Sequence, residues 1–365
     1  MKRILIGMMT GALAAGLFAM DLSFVRDRSL ETGVYAKTVR VGHSRATLFA
    51  LPTVYSCALP NGLAFDAATV PVLGLSDLET SGIARLSNTK ARLSWLYHDF
   101  LIATFGLRLP TGFNQFTSSQ LITAGNIASR QLLFQNANLF SSLDLSASLA
   151  SSLAFRDIGD GDLSLGLGLA YLYKGAVTPV EDSKLSFDPA DEFSISLATE
   201  YDFRAYERKC QTLLDLGFTL YGSDQQQDAK ALAIGNKFNW AFSGGVELAE
   251  NLPLTVRVAN FIKGANTHKL YGETSKKSSD LIASVTSGLP FARPQRPYAK
   301  LTLASYSGGG LQGYGDAFVT SLALGAAFRL SERLSLQNEI SVDLGSLEGS
   351  GLLGLSGNAA FRYQF

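Results

Sequence analysis

Three histidines, His43, His98 and His268, are the first place to look for catalysis in this chain of 365 residues. General-base chemistry needs a partner positioned within hydrogen-bond reach. His43 has only Ser44 beside it, His98 falls in a short turn, and His268 lies among Lys263, Lys269, Lys276 and Lys277. Cys57 and Cys210 are too few for a disulfide scaffold and read as small packed or outward-facing residues. No metal-ligand spacing occurs, and the glycines at 166/168 and 308–310 sit in a strand and a loop tip rather than in a phosphate cradle. The reading is therefore of a protein that is not an enzyme, with no catalytic residue, cofactor or metal. What remains is a set of charges spaced singly among small polar residues: Arg92, Arg108, Asp144, Glu200, Asp202, Asp215, Glu247, Arg257, Lys300, Arg329, Glu339 and Arg362. Charges on an inner face need water or one another. Their chemistry is that of a hydrated, selective interior, or else of a wall-to-wall network that solvates a narrow one.

The elements that would carry these charges are strands. From Asp162 to Lys174, Leu163, Leu165, Leu167, Leu169, Tyr171 and Tyr173 share one face, and Ser164, Gly166, Gly168 and Ala170 the other. The same period of two recurs from 142 to 155, 192 to 203, 237 to 248 and 335 to 343. Roughly sixteen such segments can be counted, although 30–41 alternates poorly, and fourteen or twelve would fit nearly as well. Charged residues make up only 17% of the chain, below the roughly 25% of ordinary soluble domains. A soluble sandwich would bring its apolar faces together, and about fifteen strands without a helix would be unusual in one soluble domain. Equal numbers of basic and acidic residues, 31 each, give no reason to expect nucleic acid as a partner.

Both ends of the chain agree with an exported barrel. Lys2 and Arg3 precede an uncharged apolar run, so residues 1–19 read as a secretory signal peptide and 20–365 as one domain. At the other end, Phe361, Tyr363 and Phe365 share one face of a strand that stops on an aromatic residue. These residues resemble the C-terminal assembly signal of outer-membrane proteins, and the resemblance implies recognition by the barrel-assembly machinery. The expected fold class is all-β: a transmembrane antiparallel up-and-down β-barrel of about 14–16 strands in a bacterial outer membrane, contacting lipid and lipopolysaccharide. The lysine-rich loop at 263–277 would meet lipopolysaccharide phosphates or solvent. Oligomeric state is not legible.

Connections alternate between short and long. Tight turns at 97–99, 156–161, 203–208, 249–252 and 329–334 would face the periplasm, with longer links, 345–354 among them, outside. The longest link, 109–143, departs from the polar pattern. Its only charge between Arg108 and Asp144 is Arg130, and it contains Phe113, Phe116, Ile127, Leu132 and Phe134. A loop this long and this apolar is predicted to fold over or into the barrel mouth, with a short helix near 119–133, as a gate, a hydrophobic ligand site or a plug.

Gly74-Leu75-Ser76-Asp77-Leu78-Glu79 and Gly106-Leu107-Arg108-Leu109-Pro110-Thr111-Gly112 resemble outer-membrane proteins associated with meta-pathway phenol degradation. Those carry a Gly-Leu-Gly-Asp-type turn and then a strand ending Lys-Leu-Pro-Thr-Gly; here Ser76 replaces a Gly and Arg108 the Lys. The resemblance implies uptake of small aromatic or hydrophobic solutes. A general porin for polar solutes and a barrel that holds a protein partner are the alternatives. The barrel proteases and phospholipases of outer membranes use Asp/His or Ser/His sets that have no counterpart here.

Overall fold

The structure is a computed structural model, and it describes residues 28–77, 82–98, 100–112, 115–128, 131–134, 142–178, 180, 186–226, 229–249, 252–268, 275–289, 295–308 and 315–365. The expected signal segment lies outside the described residues. Sixteen antiparallel strands close into one barrel. In chain order they are β1 (Ser29–Val41), β2 (Ser44–Ala50 and Thr53–Ala58), β3 (Leu63–Thr69 and Pro71–Ser76), β4 (Ile83–Leu86 and Thr89–Tyr97), β5 (Leu101–Leu109), β6 (Asp144–Ile158), β7 (Gly161–Lys174) and β8 (Glu192–Ala205). The second half comprises β9 (Arg208–Tyr221), β10 (Lys237–Glu247), β11 (Pro253–Lys263), β12 (Ser278–Gly288), β13 (Gln295–Ser307), β14 (Ala317–Arg329), β15 (Leu334–Leu347) and β16 (Ser350–Gln364). Each strand pairs with the next, and β16 closes on β1 from Ser29↔Gln364 to Val41↔Leu352. Closure leaves no backbone edge unpaired, which is the condition for crossing lipid with strands.

The period of two sorts the side chains. Leucines, valines and aromatics point out around the whole circumference; Phe105 and Leu355, for example, are 66% and 63% exposed. Water would not tolerate such a continuous belt on a stable monomer, and hydrocarbon would. At the rim that carries the short turns, aromatic residues touch in pairs: Trp95–Tyr97 at 5.3 Å between ring centroids, Tyr201–Phe203 at 5.0 Å and Tyr363–Phe365 at 5.1 Å. This is an interfacial girdle. Phe361, Tyr363 and Phe365 all belong to the outward face, and so do Cys57 and Cys210, which pair in register with outward Phe65 and Phe203 and are free thiols.

Strands β2, β3 and β4 are each broken at one height, at 51–52, 70 and 87–88. Pro52 and Pro71 cannot donate to a ladder there. Between Ala68↔Lys90 and Pro71↔Leu86 two residues of β3 face three of β4, a bulge that bends the wall. On the far side, the links after β7, β9 and β11 contribute Phe187–Asp188, Ser223–Gln226, Ala229–Ala233 and Thr267–His268 to a separate four-stranded sheet at the loop rim. His268 is part of this sheet, His43 lies in the turn between β1 and β2, and His98 lies at the opposite rim.

Two expectations are corrected. Residues 345–354 are not a longer loop: β15 and β16 run to a two-residue turn at Glu348 and Gly349, both with positive φ. Two of the glycines that made this stretch look loop-like, Gly345 and Gly354, are strand residues at close approaches. A Cβ on Gly345 would lie 2.0 Å from the Phe318 carbonyl oxygen, and one on Gly354 would lie 2.8 Å from Asp343 Oδ2. Likewise Gly74-Leu75-Ser76 is the end of β3, not a turn. The poorly alternating segment 30–41 is nonetheless a full strand, and its inward face supplies the reason given below.

Candidate functional site

The described part of the segment between β5 and β6 folds into the lumen. Its helix α1 (Ser118–Ala128) begins with a reciprocal cap: the Thr117 hydroxyl accepts from the Gln120 N–H at 3.3 Å, and the Gln120 side chain accepts from the Thr117 N–H at 3.2 Å. Phe116, Ala124, Ile127, Leu132 and Phe134 are buried. They form one apolar cluster with Tyr35 and Val39 of β1, Leu48 of β2, Val72 of β3, Ile83 of β4, Tyr306 of β13, Val319 of β14, Leu347 of β15 and Leu352 of β16. The inward face of β1 is apolar where α1 and the turn after it rest, so its alternation is hard to read. Gly74 lets the helix approach, since a Cβ there would lie 2.5 Å from Ile127 Cδ1. Asn126 donates to Ser76 Oγ at 3.3 Å just above. Phe113 lies outside the described residues.

A buried charge fastens this segment to the wall. Lys37 of β1 donates to the Leu133 carbonyl at 3.1 Å, and its ammonium lies 6.0 Å from the centre of the Phe134 ring. The same nitrogen is 2.6 Å from Asp343 Oδ2 of β15, an ion pair with both side chains almost fully buried. Lys37 reaches Asp343 across β16, over Gly354, which stands directly opposite Asp343. Leu133 itself has φ of +56°, a conformation rare for a branched residue and sustained only when the surroundings over-determine it.

The twelve charges singled out in the sequence all occupy inward register positions. Arg92 pairs with Asp66 at 2.7 Å, and Arg108 with Asp144 at 2.6 Å, where Ser142 also donates to Asp144. Glu200 accepts from Gln211, and Glu339 from the Tyr298 hydroxyl at 2.8 Å. Asp202 stands opposite Gln211, Asp215 opposite Ala241, Glu247 opposite Pro253, and Arg257 between Ser243 and Ser284. Lys300 faces Ala323, and Arg329 and Arg362 flank Ser335.

Sequence reasoning put Asp343 on the polar face of its strand without singling it out, and it missed Lys37 and a group at the loop ends of β7 to β11. There Lys174 and Lys263 lie 5.9 and 5.8 Å from the centre of the Tyr221 ring, and Lys237 lies 5.2 Å from that of Phe261. Lys174 also pairs with Glu192 at 2.5 Å. These lysines close strands whose last residues read as loop charges. Their inward parity was the available signal.

Among the described residues no group of side chains could hold a metal ion. No helix among them is long and apolar enough to cross a membrane, a test that does not apply to strands.

No protein-family model matches the chain, and no curated protein matches it in sequence. Solved structures do match. Pseudomonas putida OprB is 11% identical with a TM-score of 0.48, over 94% of this chain and 95% of its own. A double variant of OccD1 (OprD) is likewise 11% identical at 0.48, over 94% and 97%. The CymD monoaromatic hydrocarbon channel is 9% identical at 0.40, over 93% and 88%. At such distances nothing about solute or mechanism transfers. The barrel's own closure and apolar exterior define the class: an outer-membrane β-barrel of sixteen strands.

Proposed function

We propose that the protein is a passive outer-membrane channel for small hydrophobic or aromatic solutes, gated by the segment between β5 and β6. The observation that carries this reading is the placement of α1 and the Leu132–Phe134 turn inside the lumen, against an apolar arc of wall. These side chains are packed against one another, so a solute meets them only when the segment shifts; an apolar solute then covers the apolar surface laid open, at about 25 cal/mol per Å², and a polar one does not. By the rule that outer-membrane barrels keep their long loops outside, this surface lies at the extracellular mouth. The lysines at 276 and 277 would then face lipopolysaccharide, and the outward aromatics ending at Phe365 would serve the assembly machinery.

Deleting residues 118–135 tests the proposal. Ionic conductance in planar bilayers should rise, and saturable uptake of a neutral aromatic such as toluene by expressing cells should disappear. Higher conductance with unchanged toluene uptake would leave a general porin with an ordinary constriction. No change in either would show that the segment does not control passage.

A further inference from the structure

On the inner wall of β3 to β6, Asp66, Lys90, Arg92, Arg108 and Asp144 stand together. Lys90 of β4 lies between Ala68 of β3 and Arg108 of β5, and Arg108 lies beside Asp144 of β6. Arg92, one inward position nearer the turn rim, stands beside Asp66. Just above, the segment between β5 and β6 leaves the wall. There the Thr111 hydroxyl donates to the Ser87 carbonyl and the Gly112 N–H to Asn88 Oδ1, both at 3.2 Å.

The charges do not balance. Asp66 takes Arg92, and Asp144 takes Arg108 on Oδ2 and the Ser142 hydroxyl on Oδ1, so both oxygens of Asp144 are engaged. Lys90 has no acid next to it: its lateral neighbours are Ala68 and Arg108, and along its own strand they are Asn88 and Arg92. Three cations therefore share two carboxylates. Depth adds to the imbalance, because the side chains of Asp66 and Asp144 are 6% and 3% exposed while those of Arg92 and Arg108 are 13% and 23% exposed. The acids form the back of the cluster, and the face turned to the lumen is cationic. A separate observation marks where a ligand would sit. Arg108 Nε is buried and meets no hydrogen-bond partner among the described residues, and a buried donor left unmatched is costly.

We propose that Lys90 and Arg108 form a binding site for one monovalent anion, a station for ions that cross the lumen in water. One excess charge, largely withdrawn from solvent, calls for one counter-charge, and cationic side chains on a pore wall favour anions. Arg108 ends β5 and Asp144 opens β6, so the anion would lie against the ion pair that joins the two ends of the intervening segment. This goes beyond the proposed hydrophobic solute and concerns the water-filled path alongside it.

The test uses the full-length barrel. Crystals soaked in sodium bromide should show an anomalous peak against Lys90 Nζ and Arg108 Nε. In planar bilayers of neutral lipid under a KCl gradient, the reversal potential should favour chloride over potassium, and conductance should saturate with salt as a site requires. Lys90→Gln should abolish the bromide peak and lower the chloride-to-potassium permeability ratio about fivefold, the effect of one unit charge acting through water at close range. Lys90→Arg keeps the charge and should keep both.

A missing bromide peak in the native barrel would overturn the proposal. So would a cation preference, or an unchanged permeability ratio in Lys90→Gln. Toluene uptake keeps the two readings apart: if toluene enters and bromide leaves no peak, only the anion site falls. If bromide binds and toluene does not enter, only the hydrophobic solute falls.

Discussion

In the loop-side half of the barrel, the wall from β13 through β16 and on to β4 is apolar and covered by α1 and its following turn, whereas from β7 to β11 it carries hydroxyls, lysines and carboxylates. The two arcs share the same strand geometry and the same outward belt. They differ in what their inward residues must satisfy. The apolar arc buries side chains against a folded segment and keeps one ion pair with little access to water. The polar arc holds its charges against aromatic rings and short acidic partners, each a quarter or so exposed. An ion pair on the first arc is structural, and one on the second is a property of a wet surface.

The largest expected difference lies between the two lysine pairs. Lys37 and Asp343 are 4% and 2% exposed, whereas Lys174 and Glu192 are 21% and 27% exposed. Lys37→Met leaves a buried carboxylate uncompensated and should cost about 3–5 kcal/mol. Lys174→Met should cost no more than ~1 kcal/mol. Urea unfolding in detergent measures both. The double variant Lys37→Met, Asp343→Leu should recover most of the loss, because two apolar groups need no partner. Equal costs for the two single lysine variants would erase the distinction between the arcs.

A smaller contrast sits within α1. Ile127 is 0% exposed and packs over Gly74, whereas Ile122 of the same helix is 47% exposed. Ile127→Ala should weaken the docking of the helix by about 2–5 kcal/mol, read as faster amide exchange across α1 and more open-channel current. Ile122→Ala should change either by less than ~0.5 kcal/mol equivalent. If Ile122→Ala opens the channel as much as Ile127→Ala does, the helix is not held by its buried face.

Parity explains how much of this was legible in advance. The strands with polar inner faces, such as β7 and β8, show a clean period of two, and the charges on them face inward as that period requires. Reading failed where one periodicity served two neighbours. The inner face of β1 is apolar because α1 covers it, so Tyr35 and Val39 look like outward residues set among outward residues. Lys37 then stands between apolar inward neighbours, Tyr35 and Val39, and its partner is about three hundred residues away in sequence. Nothing local distinguishes such a lysine from a snorkelling one. Gly345 and Gly354 misled for another reason. Glycine marks loops, but it also marks strand positions that another side chain or backbone must approach closely, and only the partner strand tells the two apart.

The smallest effect expected concerns the loop sheet that stands over the polar arc. Asp224, in Ser223–Gln226, is buried and accepts from the Ala190 N–H at 2.8 Å. Burial raises its carboxyl above the usual range, and that N–H together with Lys174 and Lys263 draws it part of the way back. A carboxyl raised in the folded state binds protons more readily there than in an opened loop. Its contribution is therefore fully present below the ordinary carboxylate range and is lost as pH climbs through the raised value. The sheet should be better protected from amide exchange at mildly acidic pH than at pH 7, once intrinsic rates are divided out. Asp224→Asn keeps an acceptor for Ala190 and has no charge to bury, so its protection should be flat with pH and modestly higher at pH 7, by less than ~1 kcal/mol. Asp224→Ala removes the acceptor and should lower protection at every pH. If the Asn variant keeps the native pH dependence, another group governs this sheet, and the polar arc's loops are held together by something other than the burial of Asp224.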